Sequence, residues 1–171
     1  ESMKRVILLA LLLCPVMSLA SSEQAVISLL KASPENVQPS LETQKALEML
    51  KQHGIIKNEP DIVADYNHIY IANKQLPVLG GVLLALDHEY LEDWIGCCVN
   101  PGVALALKVK KDKDDSSALA SFAKENHCNV MPFEQSFMTK DLKEAAFDHV
   151  KKEDVLVLSC KLSDRTYESR E

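Results

Sequence analysis

From Val103 onward the chain alternates short apolar runs with amphipathic ones, and this alternation constrains the fold more than any other feature. Val103-Ala104-Leu105-Ala106-Leu107-Lys108-Val109 places Val, Leu, Leu and Val on alternate positions, the period of a strand. The charged stretch Lys110 to Asp115 ends it, and Ser116 or Ser117 then caps a helix with Leu119, Phe122 and Ala123 on one face. Cys128 to Met131 reads as a short strand before Pro132. Thr139 caps a further helix with Leu142, Ala146, His149 and Val150 along one side, and Val155-Leu156-Val157-Leu158 is the continuous apolar run of a strand buried on both faces. Strand, helix, strand, helix, strand usually means parallel strands joined by right-handed helical crossovers.

Ahead of this unit, Trp94 to Val99 is followed by Asn100-Pro101-Gly102 and then by the Val103 run. Pro followed by Gly presets the central dihedrals of a type II turn, so two strands joined tightly are expected there, adding an antiparallel member to the sheet. Further upstream, Ser21 or Ser22 caps a helix through Ala32, with Val26, Ile27, Leu29 and Leu30 as its apolar side. Ser40 caps a second helix, in which Ala46, Leu47 and Leu50 form a stripe and Lys51, His53 and Gly54 are C-terminal signals. His68 to Ala72, rich in Ile and Tyr, reads as a strand. After Gly80-Gly81, the residues Leu83, Leu86, Tyr90 and Trp94 recur at helical spacing, which predicts a helix over Val82 to Ile95, with an extended Val82 to Leu86 as the alternative. The expected class is α/β or α+β, with a mixed sheet of about five strands and helices packed on it. Its C-terminal half is β-α-β-α-β, preceded by two N-terminal helices.

The first residues carry a different signal. Met3-Lys4-Arg5 is a short basic start, Val6 to Cys14 is unbroken apolar sequence, and Ser18-Leu19-Ala20 puts small residues where a signal peptidase cuts. Glu1-Ser2 reads as a cloning remnant. Residues 1–20 are therefore expected to be that remnant plus a secretory signal, 21–162 a single globular domain and 163–171 a polar tail. The apolar run is too short for a membrane span of about 20 residues, and Pro15 closes it, so no span is expected after signal removal. A periplasmic or secreted location follows. The formal charge of -6 argues against a nucleic-acid binder, whose affinity rests on Lys and Arg contacts to phosphate, and favours a basic protein partner.

Loss of Cys14 with the signal leaves Cys97, Cys98, Cys128 and Cys160, an even number suited to two disulfides in an oxidising compartment. On a strand Cys97 and Cys98 point to opposite faces, so each is expected to bond a distant cysteine, stapling the hairpin to Cys128 and Cys160. No Cys-x-x-Cys spacing indicates thiol chemistry. Asp87-His88-Glu89, His127-Cys128 and His149 lack the spacing of a His-Glu-x-x-His helix or a paired-cysteine zinc site, and no nucleophile elbow, dinucleotide fingerprint or P-loop is present. Neither metal nor cofactor is expected, and no catalytic residue is assigned. In a parallel sheet, ligands sit beyond the C-terminal strand ends, which here would mean Lys110, Asp112, Phe133, Glu134, Ser159 and Cys160.

The partner-binding candidates are Asp87, Glu89, Glu92 and Asp93 around Tyr90 and Trp94, acidic groups beside aromatics that would suit a basic protein surface. The bland alternative is a solvated helix face with both rings turned into the core. Size, export, acidity and disulfides together fit a small non-catalytic protein-binding domain, such as an inhibitor or immunity protein against an exported toxin or hydrolase. The alternative is a small exported enzyme whose Cys, His and carboxylate groups converge only in three dimensions.

Overall fold

A computed structural model of the protein describes residues 19–32, 39–91, 98–109, 115–136, 138, 142 and 150–165. Helix α1 covers 19–31, α2 Leu41–Gln52 and α3 Asp115–Glu125. The strands are β1 (Ile62–Ala64), β2 (Asn67–Ile71), β3 (Pro77–Val78), β4 (Gly81–Glu89), β5 (Gly102–Lys108), β6 (Asn129–Pro132) and β7 (Val155–Ser159). They form one sheet in the order β1-β2-β4-β5-β7-β6, with β3 beside the start of β4.

Every pairing among the described residues is antiparallel, so of the two expected classes the fold is α+β, and its sheet has seven strands and is antiparallel where about five strands and a mixed sheet were expected. The expected parallel crossovers fail for one reason. Strands β5 and β6 do run in the same direction with α3 between them, but β7 enters the gap and pairs antiparallel with both. The rule that places ligands at C-terminal strand ends loses its basis here. The helix expected from Thr139 through His149 lies outside the described residues, apart from Leu142.

Apart from a bulge in β4, side chains alternate across the sheet. Leu83, Leu86, Val103, Leu105, Leu107 and Leu158 face the helices and pack with Val26, Leu29 and Leu30 of α1, Leu50 of α2, and Leu119 and Phe122 of α3. On the opposite face Ile69, Ala85, Ala104, Ala106, Val155 and Val157 pack with Phe133, Met138 and Leu142. Both faces are therefore covered, which is why β5 and β7 are apolar on successive residues.

The N-terminal helices form as the sequence indicates. Ser40 Oγ accepts from Thr43 N at 3.1 Å, and α2 ends in a Schellman motif: Ile55 N donates to Leu50 O, and Gly54, at φ 66°, donates to Lys51 O. In α1, however, the chain is already helical at 19, so Ser21 and Ser22 lie inside it. Ser22 is fully buried and hydrogen-bonds His53 Nδ1 at 2.8 Å, joining α1 to the end of α2.

The other large departure concerns 82–95. Residues Gly81–Glu89 are the longest strand, with a bulge between Leu83 and Ala85, and their partner is β5. Strands β4 and β5 are thus linked by the long connection 90–101, not by a tight turn at Asn100-Pro101-Gly102. Of the segment expected as the first hairpin strand, residues 94–97 lie outside the described residues.

Candidate functional site

Asp87-His88-Glu89 ends β4, and strand alternation sends Asp87 and Glu89 to one face and His88 to the other. The two sides carry different polar assemblies. On the face away from the helices, Lys161, two residues past β7, reaches across β5 toward β4. Its Nζ donates to Asp87 Oδ2 at 2.6 Å and to Glu89 Oε2 at 2.8 Å. Asn67 Nδ2, from β2, donates to both Asp87 oxygens at 3.0 and 2.9 Å and to Glu89 Oε2 at 3.2 Å. Glu89 Oε1 accepts from Asn100 N at 2.7 Å. Asp87, Lys161 and Glu89 are 2%, 5% and 8% exposed, so this is an enclosed network with its polar atoms mutually satisfied.

Burial pushes the Asp87 carboxyl above its ordinary range, and the neighbouring Lys161 only partly offsets this. Burial alone would lower the Lys161 pKa, but the Asp87 and Glu89 carboxylates together outweigh it and raise the value. Local backbone geometry makes the approach possible. Gly102, at φ 134°, begins β5 where residues 160 and 161 pass, and a Cβ there would stand 2.7 Å from Lys161 Cα.

On the helix side His68 and His88 are direct cross-strand partners, and Tyr90 stacks on both rings at 4.7 Å. The Nδ1 atoms of both histidines are buried without a hydrogen-bond partner. Desolvation, reinforced by His68, Lys161 and Lys51, lowers the His88 pKa to about 4, so the ring is neutral near pH 7.

These positions change the meaning of the sequence candidates. Asp87 and Glu89 belong to a strand, and they are buried against Lys161 rather than displayed on a solvated helix. Tyr90 is half-buried against the histidines. Glu92, Asp93, Trp94 and Cys97 lie outside the described residues. Cys128 and Cys160 bond each other, extending the Asn129–Ser159 register of β6 and β7, so the expected staples from the Cys97-Cys98 pair to these two cysteines are not formed. Cys98 is disulfide-bonded as well, and its partner lies outside the described residues.

Sequence reasoning missed Lys161, Asn67, Asn100 and His68. The available signals were a lysine closing the apolar Val155–Cys160 run and two carboxylates at the i, i+2 spacing of one strand face.

Ser163, Asp164 and Arg165, at the start of the segment expected as a polar tail, hydrogen-bond to the rest of the chain. Ser163 N donates to Asn100 Oδ1 at 2.6 Å, and Ser159 Oγ donates to Asp164 at 2.6 Å. The Arg165 guanidinium donates to the carbonyls of Cys160, Asn126, Leu30 and Ala32, thereby tying the ends of α1, α3 and β7 together.

Elsewhere, a shallow groove of about 830 Å³ lies at the other end of β7, lined by Pro132, Phe133, Glu134, Lys151, Lys152 and Leu156 among others. Among the described residues no three His, Cys, Asp or Glu side chains converge as a metal site would require, and no helix is long and apolar enough to cross a membrane. No protein-family model, curated protein or solved structure matches the chain.

Proposed function

We propose that the chain is an exported, non-catalytic protein-binding domain, of the kind that inhibits or confers immunity to an exported toxin or hydrolase, and that it meets a basic partner through residues 90–101. The observation that carries this reading is a double clamp at the base of that connection. Glu89 Oε1 holds Asn100 N from below, while Asn100 Oδ1 holds Ser163 N. These bonds fix where the chain enters β5, and a fixed anchor point for a binding segment favours affinity.

Charge supports the same reading. Asp87, Glu89 and Lys161 together carry one negative charge, so all but one unit of the formal -6 lies elsewhere in the chain and can steer a cationic partner. Glu92, Asp93 and Trp94 supply acidic groups and an aromatic anchor within this connection. Export is supported by the Cys128–Cys160 bond, because disulfides persist in oxidising compartments.

The test is retention of exported proteins from the source organism at low and high salt, by the parent chain and by a Glu92→Ala/Asp93→Ala/Trp94→Ala variant. A basic partner held at low salt by the parent and lost by the variant is the expected result. Equal retention by both, or no partner even at low salt, would sink the reading.

A further inference from the structure

We propose that Lys161 and Asp87 condense into an intramolecular amide, formed without any enzyme once the chain has folded, with Glu89 as the proton carrier. Such a bond needs an amine, a carboxyl group and a proton acceptor held in contact away from water, and the buried network supplies all three. Lys161 Nζ stands 2.6 Å from Asp87 Oδ2. A nitrogen at that distance from one carboxyl oxygen is roughly in van der Waals contact with the carboxyl carbon, near the 3–3.5 Å from which bonded attack starts.

The roles follow from the hydrogen bonds. Asn67 Nδ2 donates to both Asp87 oxygens, at 3.0 and 2.9 Å, and at the longer 3.2 Å to Glu89 Oε2, so it draws electron density chiefly from the Asp87 carbon to be attacked. Glu89 has one oxygen committed to Asn100 N, while the other receives a bond from Lys161 Nζ, the donor that must lose protons. Asp87 is therefore the electrophile and Glu89 the base. The Lys161 backbone passes close over Gly102, where a Cβ would stand 2.7 Å from Lys161 Cα, so the root of the side chain has a fixed position.

The step balances as a condensation. One ammonium proton passes to the Asp87 carboxylate, giving a neutral amine and a neutral carboxylic acid. The nitrogen lone pair then adds to Asp87 Cγ, Glu89 Oε2 takes the second proton, and that proton is delivered to the departing hydroxyl as the C–O bond breaks. One N–C bond forms, one water leaves, and nothing is oxidised or reduced. In bulk water the free ions would be favoured. Here burial favours the neutral form of Asp87 while the two carboxylates favour the charged form of Lys161, so the neutral pair is a minor state from which addition starts, and enclosure places its members at an effective concentration that water cannot match.

The product would join β4 to the segment after β7 across the intervening β5, independently of any partner the protein binds. The deciding measurement is the intact mass of the folded, purified chain after reduction of its disulfides. The expected mass is lower than that of the sequence by one water, with a branched peptide joining Asp87 to Lys161 in the tandem spectrum and full linear mass in a Lys161→Arg variant. A parent chain at full linear mass overturns the proposal, as does a water loss mapped to any other pair, Glu89–Lys161 included. Should Lys161→Arg fail to fold, Glu89→Gln is the second variant, expected to keep the linear mass, and its full cross-linking would overturn the role given to Glu89.

Discussion

His88 occupies a place where a positive charge is disfavoured from several sides. The residue is 4% exposed, His68 lies directly opposite, and Lys161 and Lys51 add to the local positive potential. An unfolded chain binds this proton near pH 6.5, whereas the folded chain binds it only near pH 4. The neutral ring's contribution is therefore complete above pH 6.5 and is lost as the pH falls from there through 4. Some 2.5 units of separation correspond to roughly 3 kcal/mol. As long as Asp87 is a free carboxyl, its raised pKa acts in the opposite sense over the lower part of that window, so a variant isolates the imidazole better than the parent profile does. We expect His88→Gln to flatten the decline in urea-unfolding stability between pH 6.5 and 4; a decline as steep as the parent's would clear His88 of responsibility. At this scale the sequence was partly informative. It marked Asp87, Glu89 and Tyr90 as unusual, and although a lysine closing the apolar 155–160 run was visible, nothing local paired Lys161 with two carboxylates more than seventy residues away.

At the scale of elements, the helices α1 to α3 were legible because each shows a single apolar stripe beside a polar face. Strand β4 was not. It is covered on both sides, so its apolar residues do not alternate, and the bulge at Leu83/Ala85 shifts the pattern toward a helical period. Polar Asp87, His88 and Glu89 then suggested a solvated surface where the chain is in fact buried. The Pro101-Gly102 pair was recognised as special for the wrong reason. Gly102 is required because the chain after β7 crosses it, not because it closes a tight hairpin. Gly102→Ala should destabilise by about 2 kcal/mol or more, since it adds a backbone clash to a φ that side chains avoid. A urea midpoint within 0.5 kcal/mol of the parent, in the range of ordinary surface substitutions, would show that the close approach is not needed.

For the whole molecule, the alternation of strands and helices predicted the directions of β5 and β6 correctly and their adjacency incorrectly, because local sequence cannot tell that a later strand will enter between them. The cross-links of the fold gather near that insertion. Cys128–Cys160 bonds the flanks of β6 and β7, and Arg165 draws in the ends of α1 and α3 beside it. Opening this disulfide by a Cys128→Ser/Cys160→Ser double substitution should lower stability by about 2–4 kcal/mol, mainly through the freed unfolded chain. Thermal unfolding without reductant checks this: the double variant should unfold at a lower midpoint than the parent, the two should converge once reductant opens the Cys98 bond in both, and equal midpoints without reductant would contradict it. The position of β7 also has a consequence for synthesis. Although it lies between β5 and β6, it follows both in the chain, so during synthesis β5 lacks its second neighbour and β6 lacks its only one in this sheet until 155–159 emerge. A message cut short before that point would leave the β5 edge without its β7 partner, open to pairing with a strand from another molecule.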